Sequence, residues 1–230
     1  CVRSAVGSRR DTPDWIRHFL YDLKAELSQV RVVDAGDTCF NKYQDADLEA
    51  LRQAFEGLLA ADACVVTMGG GQEATYVQYL AAVQQGVRPR LVLVDALADM
   101  AQETAGPLQP HTFVSHILNS APQAPADISL LGYQYPLVSN AVLDQLKEAS
   151  YELFRLSEVR DDFNVAEPTI RASHLLSFDT GSIRQADAPG TNHPLPSGLH
   201  AEEACRLARF AGLSPALQLC GFYEYNPAFD

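Results

Sequence analysis

Acidic residues stand where several apolar runs stop. VVDAGD carries Asp34, RLVLVDALAD carries Asp95 and Asp99, HLLSFDTG ends on Asp179, and FYEYN holds Glu224. In open α/β sheets, ligands collect outside the carboxyl ends of the strands, so these acids would share one rim. Asp95 and Asp99, four residues apart, straddle one strand end, and Asp179 closes another. Convergent carboxylates hold hard divalent cations, and these three could hold one ion. Each acid taken alone reads better as an ordinary loop cap; it is their conjunction that points to a site.

A glycine turn, MGGGQEA, offers a competing chemistry. Gly69, Gly71 and Ala74 match the spacing GxGxxA, and Asp95 follows about 20 residues later, where a dinucleotide fold places its ribose-binding acid. Glycines there would let a pyrophosphate approach a helix N-terminus, where free amides and the dipole favour an anion. The blander account is a tight turn packed under a helix. The dinucleotide reading leaves the other acidic strand ends without a role.

The elements that must position these residues alternate. Helical spacing runs from Pro13 to about Ser28, through Trp15, Ile16, Phe19, Leu20 and Leu23, and QVRVVDAGD reads as a strand. Leu48 to Ala60 is a second helix, CVVTM a buried strand, Ala74 to Gln84 a helix and Arg90 to Asp95 another strand. Downstream, ISLLGY, HLLSFD and LQLCGFYEYN are strands, separated by helices at Asn140 to Ala149 and Ala201 to Ala211. Short apolar strands alternating with helices imply a three-layer α/β/α domain on a mainly parallel sheet. APQAPAD, residues 121–127, reads as a surface loop.

Bulk properties narrow the functions. At 230 residues and 47% hydrophobic content the chain can bury a substantial core as one domain. A net charge of −12 leaves no clustered cations to grip nucleic acid phosphates. No apolar run approaches the roughly 20 residues of a membrane span. Five widely spaced cysteines without a CxxC pair argue against a disulfide framework or zinc site and point to a reducing cytoplasm.

With MGGGQEAT, VDALAD, SFDTGSIRQADAPGTNHPLPSGL and FYEYNP in that order, the chain resembles the arginase, or ureohydrolase, family, and within it the formimidoylglutamase-like branch. The likeness covers 1–230 as a single domain. It implies that a first strand before Cys1 and a final helix after Asp230 lie outside this sequence. Members of that family use two manganese ions, bridging a hydroxide that attacks a guanidino or formimino carbon. They carry GGDH, DAHAD and SFDVD where this chain reads GGGQ, DALAD and SFDTG.

The resemblance therefore implies one metal position built from Gln72, Asp95, Asp99 and Asp179. The second would have lost both private ligands, to Leu97, whose side chain would occupy the space, and to Gly181. At most one Mn²⁺ is expected, and a protein binding no ion is an equal expectation. Glu224 would face the planar cation of the ligand. His116 matches a proton-shuttling histidine, with His111 as competitor, and Arg184 could bind an acidic substrate tail. These likenesses lead to a non-catalytic relative that binds a small guanidino or formimino ligand. The alternative is a one-metal hydrolase of linear amidines such as N-formimino-L-glutamate. Self-association follows the family's habit.

Overall fold

A computed structural model describes residues 2–4, 12–24, 30–40, 45–101, 106–120 and 125–229. Six parallel strands form the central sheet: β3 (Val65–Met68), β4 (Arg90–Val94), β5 (Asp127–Tyr133), β6 (Glu152–Arg155), β7 (Leu175–Asp179) and β8 (Leu219–Tyr223). Their order is β3-β8-β7-β4-β5-β6, which puts β4, β7 and β8 side by side in the middle. A separate parallel pair joins β1 (Val2–Ser4) to β2 (Thr38–Phe40).

Helices cover both faces, and the side-chain alternation of the strands decides which face each residue serves. In β4, Leu91 and Leu93 enter one core, with Val77 and Ala81 of α3 (Ala74–Gln84) and Leu51 and Phe55 of α2 (Asp45–Ala60). Phe113 of α4 (Phe113–Leu118) and Leu143 of α5 (Asn140–Glu148) complete that side. Val92 and Val94 enter the other, with Val159 of α6 (Leu156–Asp161), Ile170 of α7 (Ala166–Arg171) and Leu207 and Phe210 of α8 (Ala201–Gly212). Residues apolar on both faces can only be buried on both, so the three-layer domain foreseen from the sequence is the observed architecture.

Three departures concern the ends and the middle. The first helix, α1, spans Thr12–Asp22, and the remainder of its foreseen length, residues 25–29, lies outside the described residues. Residues 31–37 form no strand: Val30, Val32 and Val33 are all more than 60% exposed, and among the described residues no strand pairs with them. Asp34 therefore ends no strand. It accepts from Arg17 Nε at 2.7 Å and from Gly36 N at 2.8 Å, and these hydrogen bonds hold its carboxyl well below the usual range. Finally, β6, α6 and α7 form from a charged stretch with no clear apolar period. Residues 121–124 of the foreseen surface loop are not described, and Asp127 already begins β5.

The long connection after β7 is fixed by backbone pairing. Arg184 N donates to Leu199 O at 3.0 Å and Leu199 N to Ser182 O at 2.8 Å. Gly198 sits where a Cβ would come within 2.5 Å of both Arg184 N and Ser182 O, so only glycine fits this crossing.

Candidate functional site

The acids of β4, β7 and β8 meet at the carboxyl edge of the sheet. Gly69 and Gly70 turn the chain out of β3 with φ of 79° and 81°, a left-handed path that glycine adopts without steric cost. Gly70 O then accepts from Glu224 N at 2.9 Å, and Gln72 N donates to Glu224 Oε1 at 2.8 Å, which ties the glycine turn to the end of β8. Asp95 N donates to Leu131 O at 3.1 Å, and Asp95 Oδ1 accepts from Leu97 N at 2.8 Å. Asp99 O accepts from Val114 N at 3.2 Å, anchoring the loop to α4.

Gln72 is the centre of this arrangement. It is 1% exposed, and one end of its amide lies 2.9 Å from Asp95 Oδ2 and 3.0 Å from Asp99 Oδ2, while the other lies 3.1 Å from Ser177 Oγ. With the amide nitrogen toward the acids, it donates to both carboxylates and its oxygen accepts from Ser177, so every group is satisfied without an ion. With the oxygen toward them, three oxygens face one another and need a proton or a cation between them. Their spacing suits a cation, since an octahedral ion with bonds of about 2.0–2.1 Å separates adjacent ligands by about 3.0 Å.

Burial raises the carboxyl pKa of Asp95, Asp99 and Asp179, and neighbouring carboxylates push in the same direction. The Asp95 and Asp99 carboxyls both face the same end of the Gln72 amide. Unless a cation is present, at least one of this pair therefore carries a proton near neutral pH. Two of the acids also sit on left-handed backbone, Asp99 at φ 47° and Glu224 at φ 65°.

Asp179 behaves differently. Its Oδ1 accepts from Gly181 N at 2.6 Å, capping the short turn that follows β7, and a Cβ at position 181 would lie 3.1 Å from that oxygen. The carboxyl is folded over the position where a second acid would stand. Among the described residues no three His, Cys, Asp or Glu side chains converge closely enough to hold a metal ion. The oxygens that could share an ion here are those of Gln72, Asp95 and Asp99, with Asp179 nearby. Leu97 brings no donor and is 36% exposed.

The other foreseen residues are elsewhere or engaged. His116 lies on α4 with its ring 5.6 Å from that of Tyr76, and no hydrogen bond among the described residues joins it to the acids. His111 is exposed. Arg184 pairs with Asp187 at 2.9 Å, while Asp187 Oδ2 accepts from Ala201 N at the start of α8. The Arg184 side chain is 38% exposed, and its Nε has no hydrogen-bond partner among the described residues. The dinucleotide reading also fails on geometry. Asp95 is 2% exposed among the acids, and the fully buried Glu73 stands at the N-terminus of α3, where a pyrophosphate would be repelled.

Ser177 and Thr75 were not anticipated. Their hydroxyls lie 2.6 Å apart, and Ser177 positions the Gln72 amide. A lone serine inside the apolar strand HLLSFD was the available signal, since a buried hydroxyl needs a partner.

The arginase family model matches residues 4–230. The formimidoylglutamase of Rhodococcus jostii RHA1 is 28% identical over 241 aligned positions, covering 95% of this chain and 72% of that protein. Its Geobacillus thermodenitrificans counterpart is 27% identical over 223, covering 88% of this chain and 66% of its own length. In three dimensions, the chain is similar to Trypanosoma cruzi formiminoglutamase determined with Mn²⁺, at TM-score 0.86, 23% identity, and coverage of 97% and 81% of the two chains. It is also similar to Bacillus subtilis arginase, at TM-score 0.81, 19% identity, and coverage of 100% and 91%. The parallel sheet, the acids gathered at its carboxyl edge and a family match over nearly the whole length lead to one conclusion: this chain belongs to the arginase family.

Proposed function

We propose that this chain is an arginase-family protein without the two-metal hydrolase centre. In this reading it recognises a guanidino- or formimino-type cation at the acidic edge and holds at most one divalent ion. The observation that carries the reading is the Gln72 amide spanning Asp95 and Asp99 at 2.9 and 3.0 Å, with no donor supplied from Leu97 or Gly181. Glu224, oriented by the Gln72 N–H at 2.8 Å, supplies a carboxylate for the planar cation, and Asp95 and Asp99 add negative potential beside it. A planar cation brought into this dry, acidic edge would satisfy charges that otherwise have to be protonated.

A second reading is favoured by the oxygen spacing around Gln72, which suits one ion. Gln72, Asp95 and Asp99 would then hold it, and the ion would supply Lewis-acid polarisation to a linear amidine such as N-formimino-L-glutamate, the chemistry suggested by the formimidoylglutamases among its relatives. The chain's own contribution would be to orient the amidine on Glu224 and to exclude water with the buried β4 and β7 ends.

Both readings are tested by loading chelated protein with Mn²⁺ and measuring bound metal by elemental analysis. At most one equivalent per chain is expected, and two would overturn the argument from Leu97 and Gly181. Release of formamide or of ammonia from N-formimino-L-glutamate, compared with Asp99→Asn, then separates the readings: turnover above that variant supports the one-metal hydrolase. Sedimentation of the same sample tests the self-association expected of the family.

A further inference from the structure

Behind Gln72, two hydroxyls meet inside the core between β7 and α3. Ser177 follows Leu175 on the face of β7 that packs under α3, and Thr75 stands in the first turn of that helix. Both are fully buried. Their oxygens lie 2.6 Å apart, a distance at which one hydroxyl donates and the other accepts, and either sense is possible. Ser177 Oγ is also 3.1 Å from the outer end of the Gln72 amide. Among the described residues, Gln72 and Thr75 are its hydrogen-bond partners.

A serine hydroxyl carries one proton, so the sense of one contact fixes the sense of the other. With the Gln72 nitrogen toward Asp95 and Asp99, the amide oxygen faces outward and takes the Ser177 proton. Ser177 can then only accept from Thr75. With the Gln72 oxygen toward the acids, the amide nitrogen donates to Ser177, whose proton turns to Thr75. Thr75 must in that case send its own proton elsewhere. Tyr223 Oη, fully buried beside Thr75 and without a hydrogen bond of its own among the described residues, is the acceptor at hand.

We infer that Thr75 is a positioning residue for the metal: the Thr75–Ser177 pair is a two-way latch, and an ion entering between Gln72, Asp95 and Asp99 reverses both hydroxyls as it turns the amide. The inference rests on the proposed one-ion site. Its two states make different demands on Thr75. In the metal-free sense Ser177 gives its proton to Gln72 and keeps a partner without Thr75. In the metal-bound sense Ser177 has no acceptor except Thr75, so loss of that oxygen strands a buried O–H. Thr75 therefore favours the ion-holding arrangement, although no hydrogen bond among the described residues joins it to the acids.

The test titrates chelated wild type, Thr75→Val and Thr75→Ser with Mn²⁺ in a calorimeter. Valine keeps the shape and removes the hydroxyl; serine keeps the hydroxyl. Thr75→Val should weaken Mn²⁺ binding about tenfold or more, as expected for an outer-shell partner, and Thr75→Ser should stay within about twofold of wild type. Thr75→Ala gives the same comparison if valine impairs folding. Urea unfolding of the chelated proteins supplies a readout without metal. Thr75→Val should lower the urea midpoint more in a Gln72→Met background than in wild type, because Ser177 there has only Thr75 to receive its proton. Wild type that binds no Mn²⁺ at millimolar concentration overturns the inference and leaves the cation-binding reading intact, as does an unchanged affinity in Thr75→Val. Additive effects of the two substitutions on the urea midpoint overturn it too. Two equivalents of Mn²⁺ in wild type would instead overturn the one-ion reading, and the inference with it.

Discussion

Replacing Gln72 by methionine isolates what its amide does. Methionine keeps the length and approximate volume of the side chain, so the substitution removes the polar head with little cavity. Two donations are lost, to Asp95 Oδ2 at 2.9 Å and Asp99 Oδ2 at 3.0 Å, together with the acceptance from Ser177 at 3.1 Å. Because burial keeps one member of the acid pair protonated, one lost bond is to an ionised group, worth about 1.5–3 kcal/mol, and the other to a neutral one, worth about 0.5–1.5 kcal/mol. The loss of stability should be about 2–4 kcal/mol, equivalent to a drop of roughly 4–16 °C in melting temperature for a chain of this size. Urea unfolding of chelated wild type and variant measures it, with the slope of the transition checked for constancy. If chelated Gln72→Met is within about 1 kcal/mol of wild type, the amide nitrogen does not bridge the acids. The oxygen-inward arrangement, held by a proton or a cation between the oxygens, is then the correct one.

Three further outcomes follow from other parts of the molecule. Gly181→Asp, which restores an acid beside Asp179, should cost about 1–3 kcal/mol, because even a Cβ there lies 3.1 Å from Asp179 Oδ1. It should not add a second Mn²⁺ equivalent by elemental analysis, since Leu97 still provides no ligand. His174 accepts from Arg90 N through Nδ1 at 3.1 Å, and partial burial, aided by the charge of Arg90, lowers its pKa below the ordinary value of about 6.5. Its contribution is therefore complete above that pH and is lost as pH falls through the lower folded-state value; the wild-type minus His174→Asn difference in urea midpoint should shrink over that interval. Leu176→Ala, at a fully buried position of the central strand β7, should cost about 2–5 kcal/mol in the same assay.

The elements that could be read from the sequence were those buried on both faces. RLVLV, ISLLGY and LLSFD are continuous apolar runs because β4, β5 and β7 have helices above and below, and such runs have one structural solution in a chain of this pattern. The edge strand β6, ELFR, has exposed residues at both ends and so carries no comparable signal. QVRVVDAGD misled for the opposite reason: its valines have strand character, but among the described residues no partner strand buries them. At the site, Gln72, Asp95, Asp99, Asp179 and Glu224 were legible as a group because strand ends and motif order locate residues. What strand ends do not specify is side-chain direction. That Asp179 turns back onto Gly181 N, or that Arg184 is taken by Asp187 three residues on, depends on local turn geometry that residue types alone leave open.

The left-handed backbone at Asp99 and Glu224 has a bearing on how such a site could decay. A non-glycine residue in that region costs about 1–2 kcal/mol, and each of these also brings a carboxylate into an already acidic, sparsely solvated edge. A mutation to glycine at either position would relieve backbone strain and charge crowding together, so random drift in an idle pocket has a downhill route to two glycines. This chain carries an acid at both positions, and under the proposed reading Leu97 and Gly181 stand where a second metal would need donors. Under that reading, the strained acids mark a site relieved of one task and still held to another.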